Sequence, residues 1–304
     1  MNRKAIIFWV LAIITVLLFS SCGEKGDYIY ESVDGGVTIT DYVGEAVNIE
    51  IPSELGKKKV VAIGDGAFDA KLVESVVIPE SVTDIGKYAF RRCGYLTSIV
   101  IKGDIKTVKV GTFNFCSALK TIELPDTVEL IENNAFGMSG LQSITLPDSV
   151  KKLEESVFYN CASLESFKSG KGLEEIGPVC FAGCLKLENV ELNEGLKIMG
   201  VGAFSSCPIK TVDIPSTVEV LENTLFVMCP LTDYTVPSGV KIIKDRAFSG
   251  CANMKKIYVP PTVETIEEGA FFDCKGIVIC GERDSSAEIF ADTYGFKFEE
   301  YNFD

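Results

Sequence analysis

Apolar and polar positions along this chain fall into a pattern that returns every 22 or 23 residues. Equivalent phenylalanines occur at Phe68, Phe90, Phe113, Phe136, Phe158, Phe181, Phe204, Phe226, Phe248 and Phe271, ten copies in phase. A period of that length held over so many copies predicts a solenoid, in which each copy is one coil, rather than a single collapsed globule. Within one period the pattern is Val-x-x-Ile-Gly-x-x-Ala-Phe-x-x-Cys-x-x-Leu-x-x-Ile-x-Ile-Pro, seen most cleanly at Val82, Ile85, Gly86, Ala89, Phe90, Cys93, Leu96, Ile99 and Ile101. The Leu-x-x-Ile-x-Ile half alternates, so stretches such as 119–124 and 209–214 are predicted strands. Pro79, Pro125, Pro147, Pro215, Pro237 and Pro260 end them, because proline cannot donate to a continuing ladder. A second short extended piece carries Val128 and Ile131, or Val263 and Ile266. Ala-Phe-x-x-Cys has helical spacing and predicts one tight helical turn at a corner.

One such unit cannot fold alone. Ordering ~23 residues at roughly 1.5 kcal/mol each costs more than about six core side chains return at roughly 1.5–3 kcal/mol apiece. Stacking supplies the difference, with a coil rise near ~4.8 Å and a stack of roughly 45–55 Å. Several units depart from the pattern: Ser139 stands at the corner Cys position, and Phe167-Lys168-Ser169-Gly170 lacks the closing proline, which predicts a local bulge or a change of curvature there. Caps are expected at both ends, to cover the last apolar faces and unpaired edges. At the start these are a hairpin turning at Asp34-Gly35-Gly36 and a degenerate strand over 47–51. At the finish they are a helix with a capping box in Ser285-Ser286-Ala287-Glu288, apolar contacts from Ile289, Phe290 and Tyr294, a stop at Gly295, and a last strand carrying Phe296 and Phe298.

The first residues read differently. Asn2, Arg3 and Lys4 precede an apolar run over 5–19 and then Ser20, Ser21 and Cys22. The run suits an export signal and falls short of the roughly 20 residues a spanning helix needs. It resembles a bacterial lipoprotein signal, and the resemblance implies that Cys22 becomes the lipidated first residue, held to a membrane by acyl chains at about 0.8 kcal/mol per buried methylene. The expected organisation is a signal peptide over 1–21, the lipidated Cys and tether over 22–27, a cap hairpin and degenerate first repeat over 28–59, the solenoid over 60–276 and a C-terminal cap over 277–304.

Composition narrows the chemistry. Against 29 Lys and Arg stand 43 Asp and Glu, a formal charge of −14 that disfavours nucleic acid and anionic lipid headgroups as partners. Histidine is absent, which removes Ser-His-Asp and Cys-His activation and every His-ligated zinc site. Eight of eleven cysteines (Cys93, Cys116, Cys161, Cys184, Cys207, Cys229, Cys251 and Cys274) share the corner position, and Cys180 takes the small Ala slot before Phe181. Parallel side chains on stacked coils do not readily give a disulfide dihedral, so these are expected to be buried free thiols. Gly64-x-Gly66, Gly200-x-Gly202, Ser117-x-x-Lys120 and Ser149-x-x-Lys152 mimic phosphate-loop or acylation motifs, but each is explained by its place in the repeat. No cofactor is expected.

The Ile85-Gly86, Ala89-Phe90 and Cys93 spacing, repeated with the Leu-x-x-Ile-x-Ile-Pro strand over about 45–300, resembles the BspA-like bacterial leucine-rich repeat family. The fold class is therefore an α/β repeat solenoid, a leucine-rich-repeat-like curved stack of about ten coils, mostly short parallel strands with one-turn helices at the corners. The resemblance implies a surface or secreted protein in adhesion or host contact, with no catalytic residues. Alternation on the strands puts two rows outward. One is mostly hydroxyl: Ser75, Ser98, Thr121, Ser143, Ser166, Asn189, Thr211, Asp233 and Lys256. The other begins at Val77 and Val100 and runs through Glu123, Thr145, Lys168, Glu191, Asp213, Thr235 and Tyr258, varying in chemistry along the stack, as a recognition face requires. The expected role is a cell-surface binding or adhesion lipoprotein, not an enzyme, probing a protein or glycan, including host extracellular matrix, and anchored to a bacterial outer membrane through Cys22. The alternatives are a structural envelope-assembly lipoprotein and a carbohydrate-active enzyme. For the last, Glu191 and Asp213 would stand about 5 Å apart, a retaining-glycosidase separation set on a flat sheet without a cleft; the same pair could instead hold calcium.

Overall fold

The structure, a computed structural model, describes residues 23–303. The expected export segment and the lipidation expected at Cys22 fall on residues outside them. Each coil presents three walls. The first is built from the alternating half of the repeat, in strands such as Ser75–Ile78, Ser98–Ile101, Ser143–Thr145, Ser166–Lys168 and Asn189–Glu191. The second is a column of two-residue strands, among them Thr107–Val108, Leu130–Ile131, Lys152–Leu153, Glu175–Ile176 and Ile198–Met199. Strands of successive coils pair in parallel in both walls.

The third wall is the Ala-Phe-x-x-Cys corner, and it is not helical. In the coil of Phe90, the amides of Tyr88, Phe90 and Arg92 donate to Val110, Thr112 and Asn114 of the next coil. Those of Ala89, Arg91 and Cys93 turn back to the carbonyls of Gly86, Tyr88 and Phe90. Tyr88 and Arg92 sit at φ 58° and 60°, in the left-handed region, which no α-helical turn contains. The helical spacing in the sequence thus marks a run of tight turns whose amides alternate between their own coil and the next. The ten phenylalanines form one spine, with rings of successive coils 4.9–5.8 Å apart and nearly parallel. Tyr42 stacks beneath Phe68 at 5.3 Å and donates its amide to Ala67, so it fills the phenylalanine slot of one further coil at the start.

The thiols have their own partners. The ten cysteines among the described residues are free and buried. Each corner thiol donates to the carbonyl of the phenylalanine one coil back, from Cys93 to Phe68 at 3.0 Å through Cys274 to Phe248 at 3.0 Å. Ser139, in the same slot, lies 3.4 Å from the Cys161 sulfur. The bulge expected near Phe167 does not form. Ser166–Lys168 keeps regular register with both neighbours, Phe167 lies edge-on to Phe181 at 4.6 Å, and Gly170 fits where any Cβ would meet the Pro147 carbonyl.

The predicted strands at 119–124 and 209–214 are absent as ladders. Their side chains still alternate, with Ile122, Leu124, Val212 and Ile214 buried, but their backbones leave the sheet. This divides the first wall into three sheets, and the second wall breaks nearby, between Asp84–Ile85 and Thr107–Val108 and between Ile198–Met199 and Val220–Leu221. Among the described residues, the bond made by Glu132, Glu154 and Lys244 to the preceding coil has no counterpart from Lys109 to Ile85 or from Glu222 to Met199. The stack is therefore three laddered blocks joined at two seams.

At the N-terminal end, Tyr28–Val33 and Gly36–Tyr42 form an antiparallel hairpin closed by Asp34-Gly35, and Asn48–Glu50 pairs in parallel with the strand Ser75–Ile78. At the C-terminal end, Ser286–Tyr294 is the one α-helix among the described residues, stopped by Gly295 at φ 73°. Its capping box is not formed. Ser285 Oγ donates to the Glu282 carbonyl, and the Glu288 carboxylate accepts the Asp284 amide instead. Phe290 packs edge-on to Phe271, whereas Ile289, one of the expected contacts, is exposed. Lys297–Glu300 pairs with Val278–Gly281 to end the first wall.

Candidate binding face

Because Ile and Leu positions turn inward on the first wall, the residues between them face solvent. Glu123, Thr145, Lys168, Glu191, Asp213 and Thr235 are exposed and stand on successive coils. Tyr258 is half-buried, its ring 4.8 Å from Tyr301, so the C-terminal cap covers that end of the row. Not every charge in the row is available. Lys168 Nζ and Glu191 Oε2 pair at 2.7 Å across neighbouring coils, while Glu123 and Asp213 make no ion pair among the described residues. A shallow hollow of about 420 Å³ lies beside Glu123 and Thr145, floored by Ile122, Leu124 and Pro147. In the hydroxyl row, Ser75 meets Asn48 at 2.6 Å, and Asp233 accepts the amides of Lys255 and Lys256.

The arrangement is poorly suited to acid catalysis. Glu191 is 68 % exposed and committed to Lys168, and the ladder that would hold it beside Asp213 is interrupted there. A carboxyl acid needs desolvation to hold its proton at neutral pH. Among the described residues no three His, Cys, Asp or Glu gather into a group that could hold a metal ion. No described helix is long and apolar enough to cross a membrane.

A second row escaped the reading of the sequence. Immediately before the second-wall strands stand Lys106, Glu129, Lys151, Glu174, Lys197, Glu219, Lys241 and Glu264, alternating in sign without exception. Lys106 pairs with Glu129 at 3.1 Å and Lys197 with Glu174 at 2.8 Å. The signal was present in the repeat, but it appears only when this position is read down the coils as the strand positions were. Beside it, Ile198, Met199, Thr217 and Val220 line a groove of about 830 Å³ at the second seam.

A family model and a solved structure agree with this architecture. The family model described as BspA type leucine rich repeat region matches six copies, over residues 45–165, 106–232 and 151–278. The chain belongs to this family of bacterial leucine-rich repeat scaffolds. Among solved structures, a leucine-rich repeat protein from Bacteroides ovatus is 23 % identical with a TM-score of 0.61, covering 92 % of this chain and all of that one. A leucine rich cell surface protein from Faecalibacterium prausnitzii is 23 % identical with a TM-score of 0.43, covering 88 % and 96 %. The pneumococcal vaccine antigen PcpA is 14 % identical with a TM-score of 0.47, covering 93 % and 99 %. No curated protein matches.

Proposed function

We propose that the chain is a non-catalytic surface lipoprotein, anchored through Cys22 to a bacterial outer membrane, that recognises a protein or glycan through the outward row of its first wall. What supports this reading above all is that row: exposed side chains on consecutive coils, fixed by a common scaffold and different in chemistry at nearly every step. An extended and ordered surface of this kind gives specificity without a pocket. Because Lys168 neutralises Glu191, the acidic contacts fall to Glu123 and Asp213, and a partner with basic or polyhydroxylated groups fits them.

A binding screen of the detergent-solubilised full chain against extracellular-matrix proteins and glycans, repeated with Glu123→Lys, Glu191→Lys and Asp213→Lys, tests the proposal. The Glu123 and Asp213 reversals are expected to weaken a captured partner by roughly tenfold or more, and the Glu191 reversal by less. Binding indifferent to all three moves the site off this face. Protease treatment of intact cells separates surface recognition from a role inside the envelope, because only a surface protein is trimmed. Glycan turnover that disappears in Glu191→Gln would overturn the non-catalytic reading.

A further inference from the structure

The alternating row beside the second wall points to a specific kind of partner. Its eight charges lie one per coil, and successive coils in the spine are 4.9–5.8 Å apart. A surface that complements it must alternate in sign with the same short period. A patch of one sign would meet repulsion at every second coil. Another copy of this chain carries that period by its own repeat.

Symmetry then decides the register. A two-fold axis passing between coils pairs each charge with one an odd number of coils away, and so Lys with Glu throughout. An axis passing through a coil pairs like with like. The apolar groove of about 830 Å³ at the second seam selects one register among the allowed ones, because it lies between Lys197 and Glu219 and exposes Ile198 at its rim, 52 % accessible. We propose that two copies associate antiparallel about an axis through this groove. Lys197 of each then faces Glu219 of the other, Lys241 faces Glu174, Lys151 faces Glu264, and each Ile198 enters the opposite groove beside Val220. Lys197 and Glu174 already pair with each other within the chain, whereas Lys151, Glu219, Lys241 and Glu264 make no ion pair there among the described residues, so the second copy satisfies these four charges that its own chain leaves open. Six coils of contact at roughly 5 Å each and about 20 Å of width bury roughly 1,200 Å² in total, the lower end of specific interfaces.

Sedimentation of the detergent-solubilised full chain at low and high NaCl tests this. Dimers at low salt that dissociate as salt rises are expected. Lys197→Glu and Glu219→Lys are each expected to weaken association roughly tenfold, because symmetry repeats each change twice. The double exchange restores it, and Ile198→Asp abolishes it. All three positions are on the surface, so circular dichroism should be unchanged in each variant. A monomer at every salt concentration overturns the proposal. So does a dimer that ignores both single reversals, which would place the contact elsewhere, in the N-terminal segment for instance.

Discussion

At the scale of the residue, the corner thiol does two things, of which a small apolar side chain could do only the first. It fills the space under the phenylalanine spine, and it donates to a buried carbonyl of the preceding coil, tying consecutive turns together where the chain changes direction. Burial pushes the Cys93 thiol up to about 12 and Cys161 up to about 11, from an ordinary value of 9.0. The unfolded chain releases these protons near the ordinary value and the folded chain retains them. Their contribution to stability is therefore complete below about pH 9 and is lost as pH rises toward the folded values. Thermal unfolding followed between about pH 8 and pH 11 should show a steadily falling Tm. Cys161→Ser should reduce that slope, since a hydroxyl does not ionise there, at a cost at neutral pH of roughly 1 kcal/mol. Ser139 already occupies the equivalent slot of the preceding coil.

At the scale of the element, the corner is where the sequence misled. Its i, i+3 spacing is shared by a helical turn and by the observed succession of tight turns, and only the backbone distinguishes them. Two residues per coil, two before and two after the phenylalanine, take left-handed φ in most copies, and several of these are not glycine. Val179 at φ 45° and Thr224 at φ 56° are β-branched, the side chains least suited to that region. Val179→Gly is expected to stabilise the protein by about 0.5–1 kcal/mol in urea unfolding, after allowing for the greater freedom of glycine in the unfolded chain. Gly183→Ala should do the reverse, because its φ is 76° and an added Cβ would lie 2.0 Å from the Asn160 Oδ1. The helix cap was misread for a related reason. Ser285 and Glu288 have capping-box spacing, but the serine hydroxyl reaches the Glu282 carbonyl and caps no helix amide.

At the scale of the whole molecule, the three laddered blocks make stability uneven along the stack. In a solenoid each coil contacts only its neighbours, so a missing ladder weakens one junction and leaves the rest intact. Hydrogen exchange should find the amides of Lys109, Lys120, Lys210 and Glu222 unprotected, and those of Glu132, Gln142, Glu154, Thr232 and Lys244, which bond to the preceding coil, protected. Uniform protection across both sets would mean that the seams are closed in solution. Each break in the first wall adjoins a one-residue change of corner length. Cys116-Ser117-Ala118-Leu119 is followed by Ser139-Gly140-Leu141, and Cys184-Leu185-Lys186-Leu187 by Cys207-Pro208-Ile209.

The repeat, the spine and the outward row of the first wall were legible in the sequence because they depend on side-chain period alone. A phenylalanine every 22 or 23 residues must be buried, and in a stacked coil it can be buried only against its counterparts. The paths of the hydrogen bonds were not legible. Whether an amide bonds within its coil, to the next, or to neither is set by small displacements between coils that no single repeat encodes, and this decided the corner turns and the seams. The same holds for charge. The sequence supplied every Lys and Glu, but only the stacked coils determined that Lys168 neutralises Glu191 while Lys151, Glu219, Lys241 and Glu264 find no ion-pair partner among the described residues.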